Sequence, residues 1–163
     1  MKKLVMLMSF SSILLLGACS TKENSASKAN NDTAQTTKQK ETTNQFNKPI
    51  VANGMEITVK KLKTVDSANG TTKSSKNLYG FDISGKNISS GTKKGLGAID
   101  FTLKTTDGKT HQIDDRVNNF GNEVSEGETV SGKAYFSINK GEKVQSLQYK
   151  PMNKVLISWQ LNN

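Results

Sequence analysis

The chain has 163 residues, 33% of them hydrophobic, and 23 Lys+Arg against 14 Asp+Glu give it a net charge of +9, with one histidine and one cysteine. That count excludes a disulfide within the chain and leaves too few soft ligands for a zinc site. The positive excess is dispersed, in runs no longer than pairs such as Lys60-Lys61 and Lys93-Lys94, a mild field that favours anionic lipid or polymer non-specifically and predicts no nucleic-acid partner.

Met1-Lys2-Lys3 opens a segment that runs apolar from Leu4 to Leu16, broken only by Ser9, Ser11 and Ser12, and closes on Leu16-Gly17-Ala18-Cys19. A cationic start, a short apolar run and small residues before a cut describe a secretory signal, too short to persist as a spanning helix. A cysteine directly after Leu-Gly-Ala matches a lipobox. It implies diacylglycerol transfer to the Cys19 thiol, cleavage between Ala18 and Cys19, and an extracytoplasmic domain lipid-anchored to the cell membrane. Residues 1–18 are thus the signal peptide, and without Lys2 and Lys3 the charge falls from +9 to +7. The covalent lipid is the only non-protein group expected; no cofactor and no metal are predicted. Residues 19–48 are almost wholly polar or small, with Phe46 the only large apolar side chain. Such a stretch buries too little to offset ordering entropy and reads as a disordered linker.

From residue 49 to 163 the pattern has period two, with turn signals at the spacing of an all-β domain. Met55, Ile57 and Val59 alternate with polar residues, and Leu62 falls out of phase, which predicts a bulge at Lys60-Lys61. Residues 66–77 read as a long loop. Tyr79, Phe81 and Ile83 form a second inward face. Residues 87–97 read as loop, and Ile99, Phe101 and Leu103 as a third apolar face, with Asp100, Thr102 and Lys104 toward water. Asp107-Gly108 turns into Thr110-His111-Gln112-Ile113 as a hairpin. Residues 114–128 carry no β pattern and gather Asp114, Asp115, Glu123, Glu126 and Glu128. Val130, Gly132, Ala134, Phe136 and Ile138 give the longest alternation. Leu147 and Tyr149, then Val155, Ile157, Trp159 and Leu161, supply the last strands. About seven strands without a helix predict an antiparallel sandwich.

At residues 125–136, Ser-Glu-Gly-Glu-Thr-Val-Ser-Gly-Lys-Ala-Tyr-Phe, the chain resembles a secreted bacterial domain of unknown function with a telokin-like, immunoglobulin-type sandwich, related to the immunoprotective extracellular protein superfamily. The family's Gly-Glu-Thr turn, glycine and strand-final Phe fall on Gly127, Glu128, Thr129, Gly132 and Phe136. An alternating strand ending in Lys-Asn matches Tyr79, Phe81, Ile83, Lys86 and Asn87. A Phe-x-Leu strand before Asp-Gly-Lys matches Phe101, Leu103, Asp107, Gly108 and Lys109. Ser84-Gly85 departs from the family's β-branched residues and predicts a strand that ends early or bulges. The resemblance implies a tethered extracytoplasmic immunoglobulin-like domain and no chemistry.

Catalytic residues are not found. The sole base, His111, reads as an ordinary exposed strand residue, and no nucleophile elbow accompanies it. The acidic loop fits no EF-hand: counted from Asp115, Val117 takes the third position and Phe120 the sixth. Tyr135, out of phase with Phe136, is expected to be exposed, with Lys133 on the same face as a candidate interaction surface. The reading is a non-enzymatic binding module held to the membrane by its lipid. Its partner is an extracytoplasmic protein met through loops 66–77, 87–97 and 114–128 or through a sheet face, or else an anionic envelope polymer met through lysines. Substituting Cys19→Ala is expected to abolish the diacylglyceryl mass on the mature N-terminus and to move the chain from the membrane to the soluble fraction. An unchanged mass and fraction, read by mass spectrometry and immunoblot, would contradict the lipobox.

Overall fold

Alternating apolar residues pair best with a neighbour of the same period, and the two longest alternations, around Phe81 and Phe136, form the longest ladder of the molecule. The computed structural model describes residues 41–66 and 75–161. Ala18, Cys19 and the middle of the expected loop 66–77 lie outside them. In chain order the strands are β1 (Glu41–Thr43), β2 (Ile50–Ala52), β3 (Met55–Lys61), β4 (Val65–Asp66), β5 (Lys76–Asn87), β6 (Lys94–Gly97), β7 (Phe101–Thr105), β8 (Thr110–His111), β9 (Gly121–Val124), β10 (Thr129–Asn139), β11 (Val144–Tyr149) and β12 (Ile157–Gln160). Single 3-10 turns cover Ala98–Asp100 and Pro151–Asn153.

One sheet has the order β1-β12-β11-β7-β8 and the other β10-β5-β3-β2, with β4 also on β5; β6 and β9 form a separate two-stranded sheet. The all-β, immunoglobulin-like antiparallel sandwich expected from the sequence is the fold. Among the described residues the one parallel pair is β1 on β12. Met55, Ile57, Val59, Phe81, Ile83, Phe136 and Ile138 of one sheet, with Phe101, Leu103, Leu147, Tyr149, Ile157 and Trp159 of the other, are fully buried. The Phe81 and Phe136 rings meet edge-on at 5.9 Å and 70°, and Phe101 lies between Tyr149 and Trp159 at 5.3 and 6.3 Å, distances at which aromatic pairs attract beyond their burial.

Several expectations are corrected. The linker expected to reach residue 48 ends sooner, because Glu41–Thr43 joins the sheet through backbone bonds that need no apolar side chains. β3 pairs with β5 in unbroken register through Lys61↔Phe81, so no bulge interrupts Lys60-Lys61. β5 likewise runs through Ser84 and Gly85 to Asn87. Glycine is needed at 85: a Cβ there would stand 2.4 Å from the Leu96 Cδ2 and 3.0 Å from the Met55 Cε. Residues 94–97 and 121–124, both expected as loop, pair as β6 and β9. Ile99 is 76% exposed, because the 3-10 turn rotates the chain and seats Ala98 in the core instead. Thr102 is buried in a cross-strand row with Gln148 and Ser158, where small side chains are covered by their neighbours.

Asn87 ends β5 with a fully buried side chain. Its carboxamide donates to the carbonyls of Thr92 at 2.7 Å and Val124 at 3.0 Å and accepts from Ser89 N at 2.9 Å. Its backbone N donates to Glu128 O at 2.9 Å and its carbonyl accepts from Gly127 N at 2.8 Å. The Lys-Asn and Gly-Glu-Thr features noted in the sequence therefore meet in one hydrogen-bonded junction. Replacing Asn87 by Asp keeps the shape but sets a carboxylate against two carbonyls. Urea unfolding is expected to show a loss of about 2–4 kcal/mol, at least as large as for Asn87→Ala.

Candidate functional site

Lys133 and Tyr135 take alternate positions of β10, which puts both on the outer face of the β10-β5-β3-β2 sheet. Across that face Lys133 stands opposite Asp82, and Asp82 opposite Lys60, so one acidic position lies between two basic ones in the register. Directly opposed residues lie about 5 Å apart at Cβ. The next row holds Tyr135 opposite Gly80. A Cβ on Gly80 would fall 2.9 Å from a Tyr135 ring atom and 3.2 Å from the Leu62 Cδ1. The ring thus lies across the glycine, against Leu62, and Tyr135 is half-buried where full exposure was expected.

Beside this edge the chain after β8 docks on β10: Asp114 N donates to Tyr135 O at 2.6 Å. The Asp114 carboxylate accepts from Arg116 Nε at 2.8 Å, from Arg116 Nη2, and from Ser137 Oγ at 2.7 Å. Ser137 shares the outer face with Lys133 and Tyr135, and Arg116 Nη2 also reaches its hydroxyl at 3.0 Å. The guanidinium beside Asp114 holds its carboxyl well below the usual carboxylate range, helped by Ser137 and opposed by burial. Arg116 is the chain's one arginine and was not singled out in the sequence. Its i, i+2 spacing from Asp114, inside a segment without β pattern, was the available signal.

The acidic region does not converge. Glu126 Oε2 accepts from Gly91 N at 2.8 Å and Glu128 Oε2 from Ser125 N at 2.7 Å, so both serve as ties between turns. Among the described residues no group of three or more His, Cys, Asp or Glu is placed to hold a metal ion. His111 pairs with Leu103 and so shares its inward face. It is half-buried, not exposed as expected, with Nε2 3.6 Å from Glu142 Oε2. Glu142 also pairs with Lys109 at 3.1 Å, and Lys109 with Asp107 at 2.8 Å. No helix among the described residues is long and apolar enough to cross a membrane.

The two sheets packed over one core define a β-sandwich domain. The model of the family described as a domain of unknown function, DUF4352, matches residues 44–155, and the chain belongs to that family. No curated protein matches it. Among solved structures it is similar to the secreted protein MPT63 of Mycobacterium tuberculosis (16% identity, 66% of this chain and 82% of that one, TM-score 0.51). It is also similar to the ycdA protein of Bacillus subtilis, provisionally described as a lipoprotein (15% identity, 72% and 39%, TM-score 0.55), so it spans well under half of that chain. A third likeness is to an uncharacterized β-sandwich protein of Clostridium difficile (12% identity, 76% and 95%, TM-score 0.50). At these identities the likeness is one of fold.

Because the Asp114 carboxyl titrates lower in the folded chain than in the unfolded one, its contribution is present above the unfolded value near 4 and fades as pH falls toward its folded value. Asp114→Asn is expected to cost about 1–3 kcal/mol at pH 7. It should also flatten the fall in stability below about pH 4. Urea titrations at pH 7 and pH 3 measure both; a wild-type acid slope in the variant would contradict the assignment.

Proposed function

We propose that this chain is a lipid-anchored, extracytoplasmic, non-enzymatic module that recognises a protein partner through the outer face around Lys133 and Tyr135. The observation that carries the reading is the Tyr135 ring, laid on Gly80 and flanked by Lys133 and Arg116. Tyrosine and arginine at a preorganised surface lose little conformational freedom on binding, which is why they dominate interface energetics. The lipobox at Cys19, together with the secreted protein and the provisional lipoprotein among the fold's neighbours, supports the extracytoplasmic address. The commitment of Asp114, Glu126 and Glu128 to internal contacts supports the non-enzymatic reading. Of the two alternatives, loops or a sheet face, this reading takes the face; within the expected loops, residues 94–97 and 121–124 are strands.

The second reading, an anionic envelope polymer held by lysines, is favoured by Lys60 and Lys133 taking register positions on either side of a single acidic residue, Asp82, on this face. Salt separates the two, since exposed charge pairs are screened within about 8–10 Å at physiological ionic strength and above. The soluble Cys19→Ala chain, crosslinked in an envelope extract, is expected to retain a protein at high salt and to lose it by at least about tenfold in Tyr135→Ala, as for an interface anchor. Retention of only salt-labile polymer, lost in Lys133→Glu and untouched by Tyr135→Ala, would establish the second reading and refute the first.

A further inference from the structure

Five large apolar side chains are exposed among the described residues, and four of them gather at one end of the sandwich: Met152 (85%), Ile99 (76%), Val51 (59%) and Ile88 (45%). Hydrogen bonds tie their segments together there. Lys150 N donates to Asp100 O at 2.6 Å, joining the turns of Met152 and Ile99; Ile88 N donates to Gly54 O at 3.0 Å, joining the loop after β5 to the turn after Val51. Burial raises the pKa of the Tyr149 hydroxyl, and Asn53 of that turn and Asp100 both act on it, which relates the two pairs.

Met152 is held with φ 50° and is followed by Asn153 at φ 62°. A left-handed conformation is uncommon for a bulky residue, and here it turns a thioether side chain out to solvent. Lys150 and Lys154 flank it, and neither takes part in an ion pair among the described residues; at the opposite end Lys109 and Lys140 are both paired, with Asp107, Glu142 and Asp66. Glu126 and Glu128, on the neighbouring turn, are bound to backbone N–H groups.

The chain also arrives at this end. Glu41 N donates to Leu156 O at 2.8 Å, and Leu156 N to Tyr149 O at 2.9 Å, so β1 begins beside the Pro151–Asn153 turn and runs away from it, parallel to β12. Residues 20–40 join this point to Cys19, a reach of at most ~75 Å even when fully extended. We propose that the end bearing Met152 and Ile99 docks on the anionic bilayer surface that holds the Cys19 lipid, with the two side chains among the headgroups and Lys150 and Lys154 against lipid phosphate. The inference rests on the lipid-anchored reading. Shallow apolar insertion with cationic flanks is the recognised mode of interfacial docking.

The test uses the lipidated chain in vesicles of phosphatidylcholine and phosphatidylglycerol. Because the Cys19 thiol is acylated, a single introduced cysteine takes a fluorophore uniquely: Met152→Cys or Ile99→Cys at this end, Val65→Cys at the other. Nitroxide-headgroup lipid is expected to quench the first two at least about threefold more than the third, as for side chains within the 5–10 Å interfacial layer. With Cys19 shown to be diacylated by mass spectrometry, equal quenching at all three sites would overturn this proposal and leave the anchoring intact. An unmodified Cys19 would overturn both. Shielding from aqueous acrylamide without nitroxide quenching would assign the patch to a protein or a second copy, and would overturn the bilayer as its occupant.

Discussion

The carboxamide of Asn87 holds both strands of the small sheet at their shared end: its two N–H bonds reach the carbonyls of Thr92 and Val124, beside the Lys94↔Val124 pair that opens the β6–β9 register. A buried amide without partners would be costly, but here both donor hydrogens and the carbonyl are satisfied, so the group selects one arrangement of two loops that apolar packing alone would leave free. From that register follow the burial of Leu96 against Gly85, the passage of residues 98–100 across to the second sheet, and the bonding of Gly91 to Glu126. A side chain of the same size without donors would leave two carbonyls unpaired in the interior.

The long β5–β10 ladder is built to receive side chains as well as to offer them. Gly80 lies beneath Tyr135, Gly85 admits Leu96, and a Cβ on Gly132 would stand 2.2 Å from the Phe120 Cβ. Each glycine weakens its strand by losing a side chain to pack, and each loss is offset by a large residue from another segment. The paired strands remain continuous through all three positions. The departure from β-branched residues at Ser84-Gly85 therefore marks a packing site and not a strand end.

Period-two alternation made the long strands legible, because Met55, Ile57 and Val59, or Val130, Ala134, Phe136 and Ile138, bury one face and only one. What was not legible depends on contacts that leave no periodic trace. β6 and β9 are rich in glycine and polar residues, with Leu96 and Val124 their only large apolar side chains, and β1 is wholly polar, so backbone bonding and the Asn87 carboxamide place them with no alternation to announce it. Ile99 follows the alternation of Phe101 and Leu103 and yet is exposed, since a 3-10 turn bonded through Gly97 N to Asp100 Oδ2 at 2.8 Å breaks the period just before β7. At the candidate site, the alternation of β10 placed Lys133 and Tyr135 on the outer face. The half-burial of Tyr135 depends on a glycine fifty-five residues earlier, and Arg116 reaches the same face through a pair with Asp114 that composition presents only as part of an acidic run.

A parallel first strand sets the polarity of the whole module. Had β1 run antiparallel to β12, the chain from Cys19 would reach the domain at the end where lysines and carboxylates neutralise one another, Lys109 with Asp107 and Glu142, and Lys140 with Asp66. It reaches instead the end where apolar side chains are exposed and Lys150 and Lys154 have no ion pair among the described residues. The outer face around Tyr135 lies along the flank between these ends, on the sheet that does not contain β1. On the proposed reading attachment and recognition draw on different surfaces: the proposed docking end offers apolar side chains and lysines, whereas the flank combines an aromatic ring, a guanidinium fixed by a carboxylate, and lysines in register. A partner held on that flank would meet the sandwich side-on, without displacing whatever the chain's entry end rests against.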